Sequence, residues 1–392
     1  MTDEIHEPGG ALTRRGLLGS ILGGAALVSP SLLLAQSRGA RPAPTAPAPP
    51  RDFAPGAAPS TYPDPDVLAI DPSFNTLAQF NSPIQRLWTG SLWAEGPAWS
   101  SQGRYLVWSD IANNCQLRWL EDDGRVSVLR QPSNNSNGNT FDFQGRQLSC
   151  EHLTRRLVRY EHDGTVTVIA DSYNGKQLNS PNDVVPHPDG GYWFTDPPYG
   201  GQLYEGAPDA AGGPSNSSGR LQPRIGQPVG IGSARRELPT NVYRVDSRGA
   251  VNLVADADSF PGPPNGLAFS PDYKKLYIVS AGKLFAADVA TNGSLSGLKQ
   301  FASVEIDGVA CGMDGVRADV FGNLWCSSNA GRAIGYSGVT VLNPSGTLIG
   351  RIRLPEVCAN VAFGGPKRNR LFMAASQSLY AVYVNTQGAA PG

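Results

Sequence analysis

The sequence predicts an all-β fold, a six-bladed β-propeller with four antiparallel strands in each blade. Three observations predict it. Short runs rich in Val, Leu, Tyr and Trp alternate with Gly and Pro, residues 87–384 show no long helical period, and one hairpin pattern recurs six times. The spacing of the pattern, about 45 residues, is typical of a propeller blade.

The first 64 residues do not share this pattern. Residues 1–35 carry a paired arginine, Arg14 and Arg15, before a moderately apolar stretch that glycines dilute, which is typical of a twin-arginine export signal. A retained membrane anchor is the alternative, but the small residues around Ala35 favour cleavage. Residues 36–64 are rich in Pro and Ala and indicate a linker. We therefore expect the export machinery as a partner, a periplasmic or secreted protein without stable membrane insertion after cleavage, and a propeller over residues 65–392.

Charge and cysteine content exclude other classes. The formal net charge is -1 with both signs interspersed, which gives no indication of a nucleic-acid partner. The five cysteines form no CxxC pair, so a thiolate zinc site is not expected. Most of them stand in apolar strand contexts, where cysteine acts as a small buried side chain.

Each repeat begins with a polar residue, here called the leader, eight positions before a turn. In residues 179–200, for example, Asn182 leads through the turn at Gly190 to an aromatic strand. Residues 200–238 form a Gly- and Pro-rich insertion after the third repeat. The sixth repeat lacks a fourth strand, which we expect residues 84–91 to supply, closing the ring. The six leaders are Glu95, Asn137, Asn182, Asn265, Asp314 and Asn360.

In a propeller the first strand of each blade lines the central channel, so the leaders would converge at one end of the axis. Two carboxylates there would repel each other unless a cation lay between them. Oxygen donors that include neutral amides suit one divalent ion, Ca²⁺ before Mg²⁺ or Mn²⁺; adventitious Zn²⁺ stays open, although no leader is His or Cys. The alternative is that Asn and Asp only fill turns before strands, but Glu95 is a poor turn former and all six share one register.

Four motifs in register resemble the gluconolactonase/regucalcin (senescence marker protein) family of six-bladed propellers, over residues 87–384. They are EGPAW from Glu95, SPNDVV from Ser180, PNGLAFS from Pro264 and MDGVRAD from Met313. The resemblance implies a sugar lactone as substrate. It also implies that Glu95, Asn265 and Asp314 are ligands of one divalent ion, and that Asn182 binds metal, substrate or both. Residues 150–156 and the insertion look like the exported bacterial branch of the family.

A hairpin returns its second strand to the face where the first began, so the second-strand ends would border the same site. We hypothesise a metal-assisted lactone opening in which Asp314 takes the proton of the attacking water. His152 is the second candidate base, although a lone His at a strand end is more often structural. The ends of the second strands are Asp110, Glu151-His152, Asp196, Ser280 and Ser328-Asn329. The predicted substrate-binding residues are Asn137, Asn182, Asp196 and Asn360. For Asp196, capping of the following Pro-Pro turn is the alternative.

Two rival functions stay open from the sequence. One is a hydrolase of other esters or phosphotriesters on the same propeller, and the other is a non-catalytic binding propeller with a structural metal. The fold alone does not decide between them, because propellers serve many functions.

Overall fold

The computed structural model describes residues 50–53, 57, 62–200 and 236–391. The predicted export signal, most of the linker and most of the insertion therefore lie outside the described residues. Helices in the described part are short 3-10 turns such as Pro72–Thr76 and Ala257–Ser259. None of the helices among these residues has the length and apolarity that a membrane crossing requires.

Six antiparallel sheets form the blades of a β-propeller, which confirms the predicted fold class. Blade one contains β3–β6, at Ala94–Ser100, Tyr105–Asp110, Cys115–Leu120 and Val126–Arg130. Blade two contains β7–β10, at Ser136–Phe141, Gln147–Glu151, Arg156–Tyr160 and Val166–Ala170. Blade three contains β13–β16, at Val184–Pro186, Tyr192–Asp196, Asn241–Val245 and Val251–Ala255. Blade four contains β17–β20, at Pro264–Phe269, Lys275–Ser280, Lys283–Val289 and Leu295–Ala302.

The last two blades each take a strand from the N-terminal part of the chain. Blade five contains β23–β26, at Gly312–Ala318, Leu324–Asn329, Gly338–Leu342 and Leu348–Arg353, with β1 (Val67–Ala69) on its outer edge. Blade six contains β27–β29, at Cys358–Gly364, Arg370–Ala375 and Ser378–Tyr383, with β2 (Gln85–Thr89) outermost. Two small ribbons lie between blades, β11–β12 (Ser172–Tyr173, Lys176–Gln177) and β21–β22 (Glu305–Ile306, Val309–Ala310).

The ring closes as the sequence predicts. Strand β2 pairs with β29, with Gln85 opposite Ala381, so the fourth strand of blade six comes from the start of the domain. The first strands of neighbouring blades contact one another around the whole ring, from β3 through β7, β13, β17, β23 and β27 back to β3. Closure therefore places all six first strands around one central channel.

The N-terminal part contributes more than the predicted closing strand. The addition of β1 to blade five was not predicted. Within the segment predicted as linker, the Arg51 guanidinium donates to the carbonyl of Ile84 at 3.0 Å, and the Phe53 ring packs edge-on against Tyr380 with centroids 5.5 Å apart. Residues 50–53 are thus in contact with the propeller.

The first hairpin of blade three shows why such segments fold. Val184 pairs with Phe194 across the hairpin, and Gly190 takes a φ of +85° in the turn, where an L-residue would be strained. Trp193 is fully buried and packs edge-on against Phe269 of the next blade, with centroids 5.5 Å apart. Large aromatic rings between adjacent sheets thus supply much of the apolar contact that fixes the blade positions.

The cysteines are small buried side chains, as the sequence predicts for most of them. All five are buried and free of disulfides.

Candidate metal centre

The inner strands do not run straight to the axis. In blades one, two, four, five and six the pairing of the first and second strands slips at or next to the leader; in blade one the break falls between Glu95 and Ala98. Such a bulge turns the affected side chain out of the regular alternation and is common next to functional sites. The repeated bulge therefore gives the leaders a shared orientation that strand alternation alone does not.

The position after the leader allows neighbouring blades to approach closely. It is glycine in four blades. A Cβ at Gly266 would lie 2.1 Å from the carbonyl oxygen of Asp314, and one at Gly138 would lie 2.3 Å from that of Asn182. The Gly138 N–H donates to the same Asn182 carbonyl at 2.7 Å. Side chains at these positions would push the blades apart, so glycine brings the leaders together.

Blade three breaks this rule with a carboxylate, Asp183. It is fully buried, and its Oδ1 has no hydrogen-bond partner. Its Oδ2 accepts from the Arg317 guanidinium at 3.3 Å. Gly138 makes room for it, since a Cβ there would lie 2.7 Å from Asp183 Oδ1. Asp183 is thus a third carboxylate at the axis, and the sequence prediction missed it.

An amide connects two of the three carboxylates. Asn360 Nδ2 donates to Glu95 Oε2 at 3.3 Å and to Asp183 Oδ2 at 3.4 Å, while its Oδ1 accepts from the N–H of Val361 at 2.9 Å. Glu95 Oε2 also accepts from the N–H of Gly96 at 2.7 Å. Both ends of the Asn360 amide are therefore engaged within the protein, which fits a residue that holds its neighbours in position.

Glu95 and Asp314, which come from blades one and five, interact electrostatically. Burial, followed by the charge of Asp314, raises the pKa of Glu95 well above its usual value. Burial and the charge of Asp183 raise the pKa of Asp314 to about 7, against the opposing effect of a hydrogen bond from Asn265. The structure thus brings Glu95, Asn265, Asp314 and Asn360 together, with Asp183 among them. Carboxylates that lie this close together oppose one another's ionisation.

These donors fit a cation. The Oδ1 atoms of Asn265 and Asp183 are buried without a hydrogen-bond partner, and buried polar atoms normally have one. The described residues contain no metal cluster built from three or more His, Cys, Asp and Glu side chains. The axial donors are instead a mixture of carboxylates and amide oxygens, the type that Ca²⁺ accepts.

Asn137 and Asn182 occupy the equivalent positions in blades two and three. The carbonyl of Asn137 accepts from Ser109 Oγ at 2.7 Å, and the N–H of Asn182 donates to the carbonyl of Thr195 at 2.9 Å. Both residues are buried. Hydrogen bonds to the neighbouring strands fix the backbone of both residues, which places their Cα atoms beside the other leaders.

The acidic residues at the ends of three second strands accept hydrogen bonds from nearby loops. Asp196 accepts from the N–H groups of Asn179 and Ser180, both at 2.8 Å. Asp110 accepts in the same way from Leu92 and Trp93, and Glu151 accepts from Asn134 at 3.1 Å. In all three cases the carboxylate anchors the loop that leads into the first strand of its blade. Asp196 therefore holds the loop before Asn182.

His152 lies under the loop that follows Asp196. It is buried, and its backbone N–H donates to Asn135. A Cβ at Gly200 would lie 2.7 Å from that of His152, so the loop packs directly on it. The neighbouring Tyr199 is close enough to Asp314 for the charge of that carboxylate, added to burial, to raise the tyrosine pKa. Tyr199, which the sequence prediction also missed, thus lies near the axial carboxylates.

Comparison with known proteins agrees with this architecture. The family model for the SMP-30/Gluconolactonase/LRE-like region matches residues 93–377. The chain belongs to this family. The resemblance that the four motifs predict is thereby confirmed.

Within the SMP-30/gluconolactonase family, the similar proteins include enzymes. A gluconolactonase of Zymomonas mobilis is 27% identical over 82% of this chain and 87% of its own. The solved structure of a gluconolactonase of Xanthomonas campestris is 31% identical, with a TM-score of 0.68 over 84% of this chain and 99% of its own. A calcium-binding regucalcin of Agrobacterium tumefaciens, at 19% identity and a TM-score of 0.56 over 78% of this chain and 94% of its own, shares the fold.

Proposed function

We propose that the protein is a divalent-metal-dependent lactonase that hydrolyses sugar lactones, with Ca²⁺ as the favoured ion and Mg²⁺, Mn²⁺ or Zn²⁺ as alternatives. One observation carries the proposal: carboxylates and partnerless amide and carboxylate oxygens converge at the axis in a chain whose relatives include gluconolactonases. An axial cluster with this charge is costly for a fold unless a cation joins it.

Glu95, Asn182, Asn265 and Asp314 would hold the ion. It would supply Lewis-acid polarisation of the lactone carbonyl. Asn265 is well suited to this role because its Oδ1 lacks a partner in the protein. Asn360 and Gly96 orient Glu95 through their hydrogen bonds to Oε2, so the carboxylate is held before any ligand arrives.

Asp314 is the proposed general base. Hydrolysis requires that a water oxygen bond to the carbonyl carbon, that the ring C–O bond break, and that one proton move from the water to the departing ring oxygen. Asp314 can accept that proton and return it to the ring oxygen, because it is a carboxylate at the axis, beside the position proposed for the ion. His152 stays the second candidate, although the packing of Gly200 against it favours a supporting role.

Asn137 and Asn182 are the proposed contacts to the sugar hydroxyls. Asn360 and Asp196 were predicted for the same task, but their polar atoms already bind the protein. We assign Asn360 to positioning Glu95 and Asp196 to positioning the loop before Asn182.

We further propose that residues 1–35 direct twin-arginine export and that the mature protein works in the periplasm or outside the cell. Replacement of both Arg14 and Arg15 by Lys should retain the full-length precursor in the cytoplasm. Unchanged export of that variant would reject the signal assignment.

A substrate panel tests the reaction. The chelator-treated protein is assayed with aldonolactones, aryl esters and organophosphates, each with Ca²⁺, Mn²⁺ or Zn²⁺ restored. We expect aldonolactone hydrolysis to be fastest and to require the added ion. Faster turnover of the aryl ester or the organophosphate would favour the rival ester hydrolase, and metal binding without turnover would favour the binding propeller.

A further inference from the structure

We propose that Arg317 sets the net charge of the axial site and thereby makes it selective for a divalent over a trivalent ion. The inference rests on the proposed metal centre and extends it. Arg317 is a positively charged side chain that the metal-ligand prediction did not include. It lies on the same strand as Asp314, three residues further along.

The contacts of Arg317 point inward. Its Nη1 donates to Asp183 Oδ2 at 3.3 Å and to the carbonyl of Val316 at 2.7 Å. The side chain is 10% exposed and that of Asp183 is fully buried. The pair is therefore shielded from water. Solvent and salt weaken the attraction within an exposed ion pair much more than within this one.

The C-terminal segment pairs with the chain next to Arg317. The N–H of Ala389 donates to the carbonyl of Ala318 at 2.9 Å, and the N–H of Val320 donates to that of Gln387. Ala390 and Arg317 together line two small cavities of about 30 and 20 Å³. Arg317 thus contacts an axial carboxylate, Asp183, and also lines cavities that the C-terminal segment borders.

A count of charges gives the consequence. Ionised Glu95, Asp183 and Asp314 together contribute three negative charges, and Arg317 contributes one positive charge, so the cluster presents a net charge of about −2. A divalent ion neutralises that charge, whereas a trivalent ion leaves an excess. Asp183, the partner of Arg317, belongs to the same cluster as the predicted ligand Glu95, because Asn360 donates hydrogen bonds to both carboxylates.

The charge account predicts opposite effects for the two partners. Arg317→Met leaves Asp183 negative, so cations should bind more tightly, and trivalent ions should gain most. Asp183→Asn leaves Arg317 positive, so both affinities should fall. A pair that only stabilised the fold would lower stability in both variants without reversing the sign of the change in affinity.

The experiment is calorimetric titration of Ca²⁺ and of Tb³⁺ into the chelator-treated full-length protein. In Arg317→Met we expect Tb³⁺ affinity to rise at least about tenfold and the Tb³⁺/Ca²⁺ affinity ratio at least about threefold. Arg317→Lys, which keeps the charge, should leave the ratio near the wild-type value. The double variant Asp183→Asn/Arg317→Met removes both charges and should return it close to wild type. If Arg317→Met does not fold, Asp183→Asn tests the same account, because both affinities should fall in it; unchanged affinities there would overturn the inference.

A matched control is the buried pair of Arg353 and Asp66, whose Nη2 and Oδ1 are 2.6 Å apart and which holds β1 to blade five. Arg353→Met should lower the melting temperature and leave the ratio unchanged. If the wild type binds both ions and the ratio is the same in Arg317→Met and wild type, only this inference fails. If the wild type binds neither ion, the proposed metal centre fails with it.

Discussion

Two groups of carboxylates lie at the same end of the propeller, yet their surroundings differ. Asp110 and Asp196, at the ends of second strands, are surrounded by backbone N–H groups that they bind. Glu95 and Asp314, at the axis, face each other and Asp183. Glu95, Asp110 and Asp196 are all buried, so burial alone does not identify a functional acid. What separates the groups is the neighbouring charge: the axial acids lie close enough to other carboxylates to raise one another's pKa, whereas Asp110 and Asp196 accept from backbone N–H groups.

The largest contrast should appear in catalysis. Asp314→Asn keeps the shape of the side chain but removes the basic carboxylate, and we expect lactone turnover to fall at least ~100-fold. Turnover numbers with an aldonolactone, together with a thermal melt to verify folding, measure this. The control is Asp163→Asn, because Asp163 lies in an exposed turn, where it accepts hydrogen bonds from Thr165; the turnover of this variant should equal that of the wild type. Wild-type turnover in Asp314→Asn would remove this residue from the mechanism.

The second contrast is the pH dependence of metal affinity. The pKa of Asp314 is about 7 and that of Glu95 is well above its usual value, so both must lose protons when a cation binds. Ca²⁺ affinity should therefore fall as the pH drops below 7, by up to about tenfold per unit for each proton released. Calorimetry between pH 6 and 8 measures it. A pH-independent affinity would contradict the predicted coupling.

The same carboxyls give the metal-free protein a pH-dependent stability. A carboxyl whose folded pKa is raised binds more protons in the native than in the unfolded state, so its contribution to the free energy of unfolding decreases as pH rises from about 4 to 7. The melting temperature of chelated protein should fall across that range. Saturating Ca²⁺ should reduce the slope, although Asp196, whose pKa burial also raises to about 7, keeps part of it. A steeper slope in Ca²⁺ would contradict this account.

The smallest expected change is at Asp196. Asp196→Asn can accept only one of the two backbone N–H groups and presents an amide N–H₂ to the other, so we expect a loss of about 1 to 2 kcal/mol in the free energy of unfolding. Ca²⁺ affinity should change much less than in Glu95→Gln. Denaturant unfolding and calorimetry measure the two quantities. If Asp196→Asn abolished Ca²⁺ binding while the fold stayed intact, the division between the two groups would be wrong.

The sequence predicted the ring because its signal repeats. The six leaders share one register. Because blade six lacks a fourth strand of its own, the sequence predicts that residues 84–91 supply it. It did not predict β1, since a three-residue strand at Val67–Ala69 has no periodicity to detect. The bulges at the leaders were also missed, because the repeated pattern gives the position of each leader but not the register in which its strand pairs.

Parts of the candidate site were missed for a related reason. Asp183 follows Asn182 in a segment that resembles a turn, and only comparison across blades exposes it, since glycine holds that position in four of them. Tyr199 lies near Asp314 through the path of a loop that no local rule specifies. The role of Asn360 depends on two partners, Glu95 and Asp183, that are distant in the chain. Sequence repetition thus identified the positions, whereas the partners required the fold.

The most direct test of the central claim is the divalent-ion content of the purified mature protein, measured alongside lactone hydrolysis before and after chelation. The account predicts one ion per chain, loss of both ion and activity on chelation, and recovery of both when Ca²⁺ returns, but not in Glu95→Gln. Full lactone hydrolysis by protein that retains no divalent ion would contradict it.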